Sequence, residues 1–346
     1  MRKVAAWFFI VLGTGLMGVS TSKILMRAVS DRRHALQGPF GVHHAPTGGD
    51  LVTMAYLDDY SKFCEPYGYR FKRPVDTGSR NIDLYVWGDS YVMEVPDSAY
   101  AHIDRYRFGR RDYTDLHYIL DPRKRNILVI ENGERFTRLF FKYLSIFDQV
   151  KKEAAPAALV RYAGFGLQPL FNPAVNENLE FNLFSYNCMA PVRRWKADLT
   201  YGWFDRASGD VTVSENGQYL FLGQTVAPHG PLSCYEPIEA GELSNILTNT
   251  DSIYLHYRRE GFDEVYFSLI PNPASILQPA HYNGLIDSFQ HYAASRGIPV
   301  IDVYGPFSKS PDPSGLYRTG DTHWNDKGLQ LWLTLVNREL ARQSAR

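Results

Sequence analysis

Cysteine is scarce in this chain of 346 residues: Cys64, Cys188 and Cys234 lie far apart, with no Cys-x-x-Cys pair. Structural zinc needs clustered thiolates and imidazoles, so this spacing argues against a metal site. In an extracytoplasmic setting one disulfide could form, Cys188–Cys234 being the favoured pair, with one thiol left over. Three unpaired cysteines fit the sequence equally well. Net charge is also lacking, since 37 Lys and Arg balance 37 Asp and Glu. No overall field therefore points to nucleic acid or an acidic polymer. There is no internal repeat and no low-complexity tract. Aromatic residues, by contrast, are plentiful at 14%, which suits a carbohydrate-handling surface or simply a large core.

One long apolar run stands out. Arg2 and Lys3 precede Val4 to Val19, a stretch without charge. A basic flank followed by an apolar segment is the pattern of a signal-anchor or a secretory signal. Ser20-Thr21-Ser22 leads straight into Lys23 with no good small-x-small cleavage site, which favours an uncleaved anchor over residues 1–28; the alternative is secretion after cleavage. The positive-inside tendency places Arg2 and Lys3 in the cytoplasm, although Lys23 and Arg27 weaken that signal. Gly13, Gly15 and Gly18 also match the dinucleotide fingerprint GxGxxG. No second apolar strand follows, so a cofactor is not expected from it.

Residues 29–80 read as an irregular stalk and lead-in. From Ile82 an α/β rhythm begins. Ile82–Trp87 and Asn126–Ile130 read as strands, and a helix follows with Phe136, Leu139, Phe140, Tyr143, Leu144 and Phe147 on one face. Residues 156–236 break the rhythm as a β- and loop-rich insertion, with a hairpin over Val211–Leu222 turning at Glu215-Asn216-Gly217. The rhythm then returns. Helices are predicted over Leu243–Arg259 with Ile246, Leu247, Ile253, Tyr254 and Tyr257 inward, over Tyr282–Arg296 with Leu285, Ile286, Phe289 and Ala293 inward, and over 326–341 with Leu329, Trp332, Leu333, Val336 and Leu340 inward; strands are predicted at Val265–Ile270 and Val300–Val303. Strands separated by crossover helices imply a parallel sheet covered on both faces.

Gly88-Asp89-Ser90 sits at the carboxyl end of the first predicted strand, where open α/β sheets bind ligands. Asp321-Thr322-His323-Trp324-Asn325 precedes the last helix. An imidazole there can take the serine proton, and a carboxylate two residues earlier can orient it. Each motif alone has a plainer reading: a turn for the first; for the second, a helix start with Asn325 as N-cap, Asp321 as a turn residue and His323 on the surface. Together they mark Ser90, His323 and Asp321 as a candidate triad. The Ser90 N–H is the first candidate oxyanion donor. Asn132 and Arg135, beyond the next strand, are the candidates for the rest, with Asn272 a weaker one. Trp324, Tyr186, Trp195, Tyr201 and Trp203 are candidates to stack on sugar.

These motifs resemble the SGNH (GDSL-type) hydrolase superfamily. Asp321-Thr-His-Trp-Asn325 followed by Gly328 looks like the SGNH-like domains of the alginate O-acetyltransferase family. Three other passages are similar to members of that group: Ile130-Glu-Asn-Gly-Glu-Arg135, Ser214-Glu-Asn-Gly-Gln-Tyr-Leu-Phe221 and Ser268-Leu-Ile-Pro271-Asn272-Pro-Ala-Ser275. The resemblance implies a flavodoxin-like α/β/α SGNH domain with a parallel sheet over residues 81–346. It also implies no cofactor, a glycan acceptor, and an integral membrane acyltransferase supplying the acyl group. Two departures stand. In the alginate enzymes the Asp-x-His motif precedes the serine, whereas Ser90 comes first here. There is also no Gly-x-Asn-Asp block, so that family's oxyanion residues are not carried over and alginate is not assigned. The expectation is O-acyl (acetyl) transfer to an exported polysaccharide through a serine acyl-enzyme, at the inner membrane with the catalytic domain periplasmic or extracellular. The alternatives are an O-acetyl esterase and a non-catalytic glycan-binding or assembly protein.

Overall fold

The computed structural model describes residues 2–35, 38–41, 49–55, 57, 62–65, 68–72, 74, 80–111, 113–153, 173–184, 186–204, 207 and 210–345. The chain forms two compact units. One comprises Met1–Pro46, Tyr56–Ser61 and Pro156–Arg206; the other comprises Thr47–Ala55, Lys62–Ala155 and Ala207–Arg346.

The second unit is built on a parallel sheet of β1 (Ile82–Gly88), β2 (Ile103–Arg110), β4 (Arg125–Gly133) and β8 (Glu264–Ile270), in the order β2-β1-β4-β8. Two small pairs complete the strands: β3 (Leu116–Tyr118) runs parallel to β5 (Val150–Lys152), and β6 (Val211–Val213) pairs with β7 (Leu220–Leu222) as the expected hairpin. Central strands covered on both faces must be apolar throughout, and β1 is buried at every position. Alternate side chains then feed two cores. Leu84, Val86, Ile127 and Val129 pack with Leu329, Trp332 and Val336 of the final helix, Asp326–Ser344. Tyr85, Trp87, Leu128 and Ile130 pack with Phe140, Ile253 and Phe289 from the opposite layer of helices.

Helical periodicity located the inward faces well in the C-terminal half. Leu285, Ile286, Phe289 and Ala293 are all buried on the helix Leu285–Arg296, as are Leu329, Trp332, Leu333, Val336 and Leu340 on the last one. Four other expectations need correction. The helix Glu134–Tyr143 buries Thr137, Phe140 and Phe141 while Tyr143 is exposed; Leu144 turns left-handed (φ 52°), so Phe147 falls in a separate short turn. Val300–Val303 is not a strand but a single bridge from Val300 to Phe267. The lead-in is not all stalk, because Leu51, Val52 and Phe63 are fully buried in the sheet-bearing unit. The insertion is β-like only in its hairpin. Its described earlier part is helical, over Pro173–Phe184 and Ala190–Ala197, while residues 154–172 lie outside the described residues.

The other unit contains those helices together with the N-terminal helix Arg2–Thr21. Val4–Thr21 is long and apolar enough to span a membrane or to serve as a signal sequence. Gly13, Gly15 and Gly18 lie inside this one continuous helix. The strand-to-helix turn that a dinucleotide fingerprint requires is not there. Asn178 and Asn182, one helical turn apart, donate to the Ser20 carbonyl and hydroxyl at 2.8 Å each.

Phe289 is wholly buried against Phe141 and Phe267. Phe289→Ala should cost about 3–5 kcal/mol of stability in denaturant unfolding. Tyr143→Ala should change it by only about 0.5 kcal/mol.

Candidate active site

The sheet presents its switch of strand order at β1: the chain leaves β1 for β2 on one side and returns to β4 on the other. The crevice beyond the carboxyl ends of β1 and β4 is where such sheets place ligands. Ser90 follows β1 there. Gly88 is required by close approach, since a Cβ would lie 2.5 Å from Glu131 Oε2 and 2.9 Å from Val92. Asp89 points inward. Its Oδ1 accepts from Tyr91 N (3.0 Å), and its Oδ2 from Gly133 N (3.0 Å) and the buried Arg111 guanidinium (3.2 Å). Beneath it, burial and then repulsion from Asp89 push the Glu131 carboxyl well above its usual range, and Glu131 accepts the Asp89 N–H at 2.7 Å.

The loop before the final helix meets Ser90. His323 Nε2 lies 2.8 Å from Ser90 Oγ, and Nδ1 lies 2.6 Å from Asp321 Oδ1, which also accepts the His323 N–H at 2.9 Å. Burial alone would raise the Asp321 pKa, but hydrogen bonding and attraction from His323 outweigh it and hold the carboxyl below its ordinary value. The fold thus brings Ser90, His323 and Asp321 together in space. The Ser90 N–H has no acceptor among the described residues, which leaves it available to a ligand. Asn325 is indeed the N-cap, accepting from Lys327 N and Gly328 N.

The remaining candidates fall differently. Asn132 is buried with its amide spent: Nδ2 donates to Thr137 Oγ1 (2.8 Å) and Gly133 O (3.2 Å), and Oδ1 accepts from Arg111. It braces Arg111 rather than offering a donor to substrate. The Asn272 backbone N–H is spent on Glu134, while its buried Nδ2 has no hydrogen-bond partner. Arg135 stacks its guanidinium near the Tyr91 and Phe136 rings (5.8 and 5.0 Å to centroid), and its buried Nε has no hydrogen-bond partner. Together with Thr322 and Asn272 it lines a small cavity. Trp324 is fully buried between Tyr91 and Trp332, so it packs the core instead of stacking on sugar. Tyr201 is buried, while Trp195 and Trp203 are exposed but belong to the unit with the N-terminal helix. Tyr186 is half-buried in that same unit. All three cysteines are free; burial pushes the Cys234 thiol up to about 12.

Sequence reasoning missed Tyr91, Arg111 and Asp50. Tyr91 stacks on the His323 ring (4.7 Å between centroids) and donates to Thr322 O at 2.6 Å. Burial keeps its hydroxyl protonated by raising its pKa well above the usual value. Asp50 accepts from Thr322 N and Oγ1. Asp50, Asp321 and His323 have ligand atoms within 4.8 Å of one another. Both imidazole nitrogens already have protein partners, so a cation there would have to displace one of them.

Comparison with protein-family models, curated proteins and solved structures finds no match to this chain.

Glu134, at the head of the helix after β4, accepts from Asn272 N (2.9 Å) and Ser275 Oγ (2.6 Å). Burial pushes its carboxyl from an ordinary 4.5 up to about 7. The folded protein thus holds a proton that the unfolded chain releases earlier, and stability falls as pH rises through the window between those values. Over that window the loss should approach about 3 kcal/mol in denaturant titrations. Glu134→Gln should flatten the slope.

Proposed function

We propose that this chain is a membrane-anchored serine acyltransferase of the SGNH type, transferring an acyl (acetyl) group to a hydroxyl of an exported polysaccharide. The observation that carries the reading is the continuous relay Ser90 Oγ–His323 Nε2 and His323 Nδ1–Asp321 Oδ1, at 2.8 and 2.6 Å. The strand order, with Val300 bridging onto β8, follows the flavodoxin-like pattern and supports an α/β/α SGNH domain. The apolar N-terminal helix supports an anchor in the inner membrane, with the catalytic unit periplasmic or extracellular.

In this reading Ser90 Oγ attacks the acyl carbonyl carbon while His323 Nε2 takes its proton. The Ser90 N–H meets the oxyanion as it forms. Collapse expels the donor oxygen, which leaves with the proton from His323. The acceptor hydroxyl then gives its proton to His323, attacks the acyl-serine, and Ser90 departs with that proton restored. Asp321, held ionised, keeps the imidazole oriented and favours the imidazolium at both stages. Arg135, with an unpaired Nε beside Thr322, is the candidate for a polar group of substrate. The glycan acceptor and an integral membrane acyltransferase as acyl supplier remain part of the proposal.

Ser90→Ala and His323→Ala should each lower acyl turnover of an activated acetyl ester by about 10³-fold or more, and Asp321→Asn should leave roughly tenfold more activity than either. Wild-type activity in Ser90→Ala would rule out the nucleophile. Adding a suitable glycan should raise acyl turnover and place labelled acetyl on the sugar, because a bound acceptor can reach effective molarities of about 10⁵ M, far above water. If a broad glycan panel gains no acetyl while pre-acetylated glycans are steadily deacetylated, the enzyme is an esterase.

A further inference from the structure

Asp50 begins a short helix, Asp50–Met54, that lies across the loop bearing His323. Four hydrogen bonds lock the two segments together. Asp50 N donates to Asp321 Oδ2 (3.2 Å), and Val52 N donates to Gly320 O (3.1 Å). In return, Thr322 N donates to Asp50 Oδ1 (2.8 Å) and Thr322 Oγ1 to Asp50 Oδ2 (2.5 Å). The backbones touch at Gly49, where a Cβ would lie 2.3 Å from both Asp321 Cβ and Gly320 O. No side chain fits between them. Asp50 Oδ2 also stands 3.9 Å from His323 Nδ1, on the same side of the ring as Asp321.

We propose that Asp50 is a positioning residue for the candidate triad, a second carboxylate that clamps the His323 loop through Thr322 and adds negative charge beside the imidazole. The inference rests on the serine acyl-transfer reading and deepens it. Both Asp50 oxygens accept hydrogen bonds from Thr322, the pattern of an ionised carboxylate. The titratable groups facing it are Asp321 and His323; Tyr91, with the Arg135 guanidinium over its ring, stays neutral. Burial, then repulsion from Asp321, raises the Asp50 pKa, opposed by His323 and the Thr322 hydrogen bonds. Asp321 is held low, so the two carboxylates are driven apart and Asp50 is the first of them to take up a proton as pH falls. A negative charge at this distance favours the imidazolium. Its removal makes the neutral base available at lower pH and stabilises the transition state less.

The test follows the pH dependence of Ser90 labelling by a fluorophosphonate, in the detergent-solubilised full chain. Asp50→Asn removes the charge but keeps an acceptor for Thr322 N. Its acidic limb should move to lower pH by about half a unit to one unit, and its plateau rate should fall by about tenfold or less, since the side chain is 40% exposed and screened. Asp50→Ala should show the same limb shift with a deeper loss of plateau, because the clamp on Thr322 goes as well. Asp50→Glu should restore part of the limb position. A lowered plateau with an unmoved limb in Asp50→Asn means a structural role only and overturns the inference, while the triad stands. A wild-type chain that labels at no pH, or labels equally in Ser90→Ala, removes the triad reading and this inference with it.

Discussion

The buried pair of Asp89 and Arg111 is the constraint on which the site depends. Asp89 follows β1, Arg111 follows β2, and Gly133 and Asn132 end β4; one carboxylate and one guanidinium join all three. Arg111 N also donates to Gly88 O at 2.8 Å. Two charges taken out of water cost several kcal/mol each, and this cost is recovered only if every donor and acceptor is met. Here Asp89 accepts three hydrogen bonds, and Arg111 also stacks on Phe136 at 4.5 Å. Such a knot is poor value as pure stabilisation, but it fixes the direction in which Ser90 leaves the sheet.

From that fixed point the rest of the site is assembled by contacts distant in sequence. Tyr91, one residue beyond Ser90, reaches the His323 loop by stacking on its ring and by donating to the Thr322 carbonyl. Trp324 then anchors the same loop in the core against Trp332. The imidazole is thus held from below by aromatic packing and from the side by carboxylates. Supporting side chains of this kind decide whether a Ser–His distance is maintained or drifts.

The parts legible in sequence were those with local signals. Asn126–Ile130 read as a buried strand and lies within one, and the inward positions of the last two long helices followed from spacing. Ser90 and His323 could be found because each sits at the boundary of such an element. β2 was missed because it is an edge strand: Asp104, Arg105 and Arg107 interrupt any apolar run, and only Ile103 and Gly109 are buried in it. Asn132 was placed at the right end of the right strand, but its role is set by Arg111, which no local pattern announces. Asp50 was further out of reach. Its partner Thr322 is 272 residues away, and among the described residues around it the helix is only five residues long, too short for a periodic signal. Trp324 was misread for a related reason: an aromatic beside a catalytic-looking histidine is equally at home on a sugar or in a core, and only burial decides.

The loop before the final helix is a capped helix start, as its plainer reading had it except that His323 is mostly buried, and the cap explains how Asp321 and His323 come to meet. Asn325 caps the helix through Lys327 N and Gly328 N, while its Nδ2 donates to Gly315 O and Tyr317 O. Its own N–H donates to Leu316 O. Every polar atom of that side chain is spent on locating the first turn, and the buried Leu329, Trp332 and Val336 fix the helix against the sheet. His323 stands two residues before the cap, so its backbone position is inherited from the helix. Asp321, two residues earlier still, needs only a tight turn to accept both the His323 N–H and Nδ1 with one oxygen. An Asp-x-His motif just ahead of a capped, deeply packed helix is therefore an economical way to hold a carboxylate and an imidazole in register. A freely moving loop of the same composition would not do it, because the geometry resides in the cap and the core rather than in the two residues themselves.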